Sequence, residues 1–155
     1  MSHFFLDASA LAKRYLTEIG SRWLNSLLNP TTNHVITIAE ITQVEVAAAL
    51  AARHRAPTGI SRQTRDSAVN LLAKHCQQEY QLMALTPLIL DRAVYLTQNH
   101  RLRGYDAVQL ATAMAANQTF LGAGLVPVTF VAADSDLLTA AQAEGLSTDN
   151  PNLYP

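Results

Sequence analysis

Hydrophobic and polar positions change their period repeatedly along the chain. Short apolar or β-branched runs alternate with stretches in which apolar residues recur every three or four positions, the patterns of buried strands and amphipathic helices. Residues 3–6, His-Phe-Phe-Leu, read as a short buried strand. Residues 8–18 and 20–29 read as two short helices, with a break near Gly20 and a stop at Asn29-Pro30, because the residue before a proline avoids the helical region. Residues 34–38, His-Val-Ile-Thr-Ile, predict a second strand on their β-branched content. The Ala-rich segment 40–54 predicts a helix, and Pro57-Thr58-Gly59 a loop. Residues 61–80 predict a long amphipathic helix that Ser61 can cap, with Ala68, Leu71, Leu72 and His75 at helical spacing. Residues 81–85 predict a third strand and 87–99 a helix with Pro87 in its tolerant first turn. A helix over 104–118, a loop over 122–124, a fourth strand over 127–132 and a last helix over 135–144, stopped by Gly145, complete the pattern.

Strands alternating with helices predict an α/β fold: a three-layer α/β/α sandwich around a central parallel sheet of four or five strands. No repeat, linker or low-complexity tract interrupts it, so residues 1–155 read as a single domain. Open parallel sheets bind ligands beyond the carboxyl ends of their strands. Asp7 directly follows the first predicted strand and Asp134 follows the fourth. Two carboxylates distant in sequence are therefore expected at one edge of the sheet.

Composition sharpens this expectation. Apolar residues make up 49% of the chain and charged residues only 15%, against about a quarter in an average globular protein. Each charge is thus a more informative choice than usual. Net charge is −1, but its distribution is uneven: residues 1–103 hold all 11 basic side chains and 7 acidic ones, whereas residues 104–155 hold 5 acidic side chains and no basic one. That asymmetry could suit a polyanion held against bound cations, but taken alone it is better explained by a mostly buried C-terminal half whose few charges are helix caps. The lone cysteine, Cys76, excludes an intramolecular disulfide and reads as a small buried thiol. No apolar run has the length of a membrane helix and the N-terminus has no signal-peptide pattern, so a cytoplasmic protein is expected.

Each acidic residue has a plain structural reading beside a chemical one. Asp7 and Asp106 both stand near helix starts, where aspartate caps the helix or favours its dipole. Gln109, three positions after Asp106, resembles the far half of a capping box. Glu45 falls on or beside an expected apolar stripe of Ile41, Val44, Ala48, Ala49 and Ala52. A carboxylate there must reach water at the edge of the stripe or be held by a partner or metal, because burying an unpaired charge is costly. One of Asp134, Ser135 and Asp136 caps the last helix, but a cap does not require two aspartates. Taken together, several carboxylates at one sheet edge form the all-oxygen donor set that Mg2+ and Mn2+ accept.

The segments that carry these residues resemble the PIN-domain family, in particular the VapC-like toxin ribonucleases of type II toxin–antitoxin systems. Phe-Leu-Asp7-Ala-Ser9-Ala-Leu-Ala-Lys is similar to the family's first motif. Ile-Thr-Gln-Val-Glu45-Val-Ala-Ala-Ala-Leu is similar to its helical glutamate motif, and Tyr105-Asp106-Ala-Val-Gln-Leu-Ala-Thr-Ala to the third. Phe-Val-Ala-Ala-Asp134-Ser-Asp136-Leu-Leu resembles the fourth. The four occur in order over nearly the whole chain, while the stretch 55–80 is only loosely similar. The resemblance implies a PIN-like three-layer fold and Mg2+- or Mn2+-dependent hydrolysis of RNA that leaves 5′-phosphate and 3′-hydroxyl ends. It implies Asp7, Glu45, Asp106 and Asp134 as catalytic metal ligands, with Ser9 beside the first and Asp136 at a variable position of the cluster. It also implies an antitoxin that covers the groove, and a homodimer as a common assembly.

Other readings fit less well. A receiver-type phosphorelay domain needs a basic residue late in the chain, and none follows Arg103. A haloacid-dehalogenase-type phosphatase needs Asp two residues after the first strand-end Asp, where this chain has Ser9. A PIN-like nucleic-acid-binding protein without toxin activity, a housekeeping nuclease, and a nuclease acting on DNA stay open as alternatives. Arg14, Arg53, Arg55, Arg62, Arg65, Arg101 and Arg103 are candidates for phosphate contact, with Arg103 foremost by its closeness to Asp106. The five histidines lack metal-ligand spacing and read as packing or surface residues, and Trp23 and Tyr15 as core or interface residues.

Overall fold

Phe5 and Leu6 lie side by side in sequence yet both are fully buried, because the strand that carries them is covered on both faces. In a computed structural model that describes residues 1–155, this strand, β1 (His3–Leu6), is the centre of a five-stranded sheet. Its neighbours are β2 (Val35–Ala39) and β4 (Val128–Val131), with β3 (Gln81–Met83) and β5 (Ser147–Asp149) at the edges, in the order β3-β2-β1-β4-β5. Every pairing is parallel. The expected three-layer α/β arrangement with an all-parallel sheet is the one observed.

The helices divide between the two faces. Phe5 and Phe130 point to one side, where they pack with α5 (Pro87–Asn99), α6 (Gly104–Gly122) and α7 (Ser135–Ala143). Leu6, Ile36, Ile38 and Val131 point to the other, against α1 (Ala8–Leu11), α2 (Ser21–Leu27), α3 (Thr42–Arg55) and α4 (Arg62–Gln78). Period-two alternation in the strands thus feeds two separate cores.

Several boundaries differ from the sequence reading, each for a physical reason. The helix expected over 8–18 is a single α-turn followed by a 3-10 turn over Ala12–Arg14. The chain then bends, and the Ser21 hydroxyl serves the bend by donating to the Leu16 carbonyl and accepting from the Glu18 N–H. Helix α6 runs on to Gly122, beyond the expected end at 118. Its stop is Gly124, at φ +72°, with the Leu125 N–H bonded to the Phe120 carbonyl, the reversed turn that glycine permits. Gly145, at φ +89°, ends α7 as expected. Strand β3 is shorter than 81–85. Strand β5, Ser-Thr-Asp, has no apolar pattern from which to read it. Both edge strands are only three residues long, which disfavours pairing with another sheet. No helix is long and apolar enough to cross a membrane.

Candidate functional site

The strand order reverses between β1 and β4: the chain moves outward from β1 to β2 and β3 on one side, and from β4 to β5 on the other. Ligands of open α/β sheets bind at such a switch point, beyond the carboxyl ends of the strands. Asp7 leaves β1 there, and Asp134 follows β4 on its far side.

Asp7 is both cap and buried acid. Its Oδ1 accepts from the Ala10 N–H at 2.9 Å, capping α1, and its residue is only 3% exposed. The Ser9 hydroxyl donates to the same carboxylate, at 2.7 Å to Oδ1 and 2.9 Å to Oδ2, while Ser9 Oγ accepts from the Ala133 N–H at 2.9 Å. Ser9 therefore ties the end of β1 to the segment after β4. Burial pushes the Asp7 carboxyl up to about 7, against the lowering effect of the Ala10 and Ser9 hydrogen bonds, and the Asp106 charge adds to the rise.

Asp106 lies in the first turn of α6, whose N-cap is Arg103, so it is not the cap its sequence context allows. Its own pKa is raised by burial and then by Asp134, and lowered by Arg103. Glu45 is half-buried in the first turn of α3, with its pKa raised by burial and by Asp106 and lowered by a hydrogen bond from Gln109. Asp106 is thus the common electrostatic neighbour of Asp7, Glu45 and Asp134. Asp134 caps α7 through the Leu137 N–H at 2.9 Å, and with the exposed Asp136 it lines a polar cleft shared with Asp106, His100, Arg101 and Arg103.

Gln109 departs most from its sequence reading. It closes no capping box. It is 1% exposed, and its Nε2 donates to Glu45 Oε1 at 2.7 Å and to Thr42 Oγ1 at 2.9 Å. A helix-borne glutamate is thereby fixed by an amide on a different helix. Among the basic candidates, Arg14 is engaged by Glu79 and Tyr80, Arg53 by Glu18, and Arg65 by Asp66. Arg101 and Arg103 are the two that line the carboxylate cleft. His100 lines it too, held by Glu144 Oε1 at 2.8 Å.

The donor set is all oxygen, as hard divalent cations require. No group of three or more Asp, Glu, His or Cys side chains is arranged to hold a metal ion in this structure. Yet Asp7, Glu45 and Asp106 all have raised pKa values, from burial and mutual repulsion. A cation between them would relieve both, and in that electrostatic sense the residues fit one.

No protein-family model and no curated protein matches the sequence. Solved structures do match. A toxin–antitoxin complex from Klebsiella pneumoniae contains a chain that aligns with a TM-score of 0.59 at 17% identity, over 96% of this chain and 97% of that one. VapBC2 from Rickettsia felis, bound to a DNA fragment from their promoter, aligns with a TM-score of 0.64 at 13% identity, over 96% of this chain and 98% of that one. Over nearly its whole length, then, the chain shares its α/β fold with a chain in each of these two toxin–antitoxin complexes.

Proposed function

We propose that the chain is a metal-dependent endoribonuclease and the toxin member of a VapBC-type toxin–antitoxin pair. The observation that carries this reading is the gathering of Asp7, Glu45 and Asp134 around Asp106 at the switch point of the sheet. The full-length likeness to chains of toxin–antitoxin complexes supports the partner protein.

In this reading Asp7, Glu45, Asp106 and Asp134 hold Mg2+ or Mn2+, with Asp136 at the rim. Such an ion, when bound, makes water a better nucleophile and offsets charge on the attacked phosphate. Ser9 keeps the Asp7 carboxylate in one orientation through its two hydrogen bonds. Gln109 pins Glu45 Oε1, which leaves Oε2 to orient the attacking water and take its proton. Arg101 and Arg103 receive the phosphates that flank the scissile bond. Water adds to phosphorus as the bond to the 3′-oxygen breaks, and that oxygen takes up a proton from solvent, so the products carry 5′-phosphate and 3′-hydroxyl ends.

The test is cleavage of a mixed RNA pool by purified protein in Mg2+, in Mn2+ and in EDTA, beside Asp7→Asn. Metal-dependent cutting that the variant loses while its circular dichroism stays native is the expected result. Cutting that persists in EDTA or in folded Asp7→Asn rejects the reading. RNA binding without cutting, by folded protein free of partner, favours a PIN-like nucleic-acid-binding protein instead.

A further inference from the structure

The carboxylate cleft has a second, chemically opposite neighbour. A cleft of about 870 Å3 opens between α5 and α6 on the other side of Asp106, with Leu90, Val94, Tyr105 and Val108 among its walls. The two clefts meet at Thr97, Arg103 and Asp106. One is polar, with His100, Arg101, Asp134 and Asp136. The other is largely apolar and reaches Glu45. The aromatic ring of the apolar cleft belongs to Tyr105, the residue before Asp106 in sequence, and is 62% exposed; Val94, in the same cleft, is 63% exposed.

An exposed aromatic flanked by exposed aliphatic side chains, in a cleft that adjoins the acidic one, forms an apolar patch of the kind that marks a binding surface, and it serves no core. The seven ion pairs of the chain leave Arg101 and Arg103 free. With the charge of Asp106, Asp134 and Asp136 offset by a bound cation, as the nuclease reading has it, Arg101 and Arg103 suit an anionic group on one side and the apolar walls a flat, neutral one on the other. A single-stranded nucleotide carries both, with phosphate toward the arginines and base toward the apolar cleft. Unpaired bases commonly stack on exposed aromatic side chains, and the interaction tolerates any base because each has a π-face.

We propose that Tyr105 is the stacking platform for the base of the nucleotide beside the scissile phosphate, with Leu90 and Val94 as the walls of its pocket. This inference rests on the nuclease reading for the position of the scissile phosphate.

The test uses the Asp7→Asn protein, so that RNA survives the measurement. Single-stranded RNA with 2-aminopurine walked along its length is titrated with Asp7→Asn alone and combined with Tyr105→Ala or Tyr105→Phe. One position is expected to be quenched on binding. Tyr105→Ala is expected to remove that quench and weaken binding roughly 5- to 150-fold, the range seen when a stacked aromatic is truncated. Tyr105→Phe keeps the ring and is expected to restore both. RNA made abasic at the quenched position is expected to bind Asp7→Asn equally well with and without Tyr105→Ala, since it offers the ring no base to stack on.

Unchanged affinity in Tyr105→Ala overturns the proposal and leaves the cleft to an apolar side chain of a protein partner. An equal loss on intact and abasic RNA overturns it as well. Parallel cleavage assays separate this inference from the nuclease reading. Metal-dependent cutting with kcat/KM unchanged in Tyr105→Ala removes the stacking role alone. Ring-dependent RNA binding by a wild type that does not cut removes the nuclease reading alone.

Discussion

Asp7 shows how much one side chain is asked to do. It caps α1, accepts from Ser9, and sits buried with its pKa raised to about 7. A carboxyl raised above its unfolded value binds more protons folded than unfolded, so its ionisation makes stability fall as pH rises from about 4 to 7. Asparagine caps a helix as well as aspartate and never ionises. In EDTA at pH 8, Asp7→Asn is therefore expected to be more stable than wild type, by up to about 4 kcal/mol at 1.36 kcal/mol per pKa unit. The gap should close near pH 4, where folding no longer has to hold a charged carboxylate out of water. Urea titrations at the two pH values measure it, and equal stability at pH 8 would mean that the Asp7 carboxylate is well solvated. Ser9→Ala removes the acceptor of the Ala133 N–H together with the donor to Asp7. A loss of about 1–3 kcal/mol is expected from the unsatisfied buried group, along with a fall in kcat from the freed carboxylate.

At the scale of elements, α3 shows where a sequence pattern misleads. Its buried residues are Thr42, Val46 and Leu50, whereas Val44, placed on the expected stripe, is 67% exposed. In an Ala-rich helix the small side chains suit either face, so the period alone does not choose between two phases. Leu50→Ala is expected to cost about 2–5 kcal/mol as a core truncation, and Val44→Ala almost nothing; thermal melts of the pair check the phase. Helix α2 meets the C-terminal 3-10 turn over Pro151–Leu153 in an equally specific way. Gly20 has φ +86°, and a Cβ there would lie 2.3 Å from the Pro151 carbonyl oxygen. Nearby, Trp23 stacks on Tyr154 with ring centroids 4.5 Å apart. Gly20→Ala is expected to destabilise by about 1–3 kcal/mol through backbone strain and to displace this turn. Trp23 fluorescence reports the displacement, and an unshifted spectrum at full stability would contradict it.

For the whole molecule, the consequence lies in the coupling between fold and ligand. The carboxylates around Asp106 repel one another and resist burial, so a ligand cation stabilises the folded chain by binding it and not the unfolded one. Mn2+ at about 100 times its dissociation constant is expected to add about 2.7 kcal/mol to wild type and much less to Asp7→Asn. Calorimetric melts with and without the metal distinguish the two, and equal shifts would place any bound ion away from Asp7. Charge is arranged at the same scale: the cleft's two free arginines lie just before Asp106 in sequence, where the basic part of the chain ends.

The order of strands and helices, the parallel sheet with two covered faces, and Asp7 and Asp134 at its carboxyl edge were all legible in the sequence. They follow from local periodicity and capping, which each segment carries on its own. What was not legible lacks such a local signal. Strand β5 is three polar residues at an edge, with no core face to impose a pattern. The roles of Gln109 toward Glu45, of Ser9 toward Ala133, and of Tyr105 beside an apolar cleft join residues on different elements. So does the engagement of Arg14 by Glu79 and Tyr80, which withdraws it from the phosphate candidates. The sequence by itself determined which segments form strands and helices and which acids stand at their ends. Only the tertiary structure decided which side chains meet across them, because hydrogen bonds and electrostatic coupling depend on distances of a few ångströms that the packing of two cores against one sheet sets.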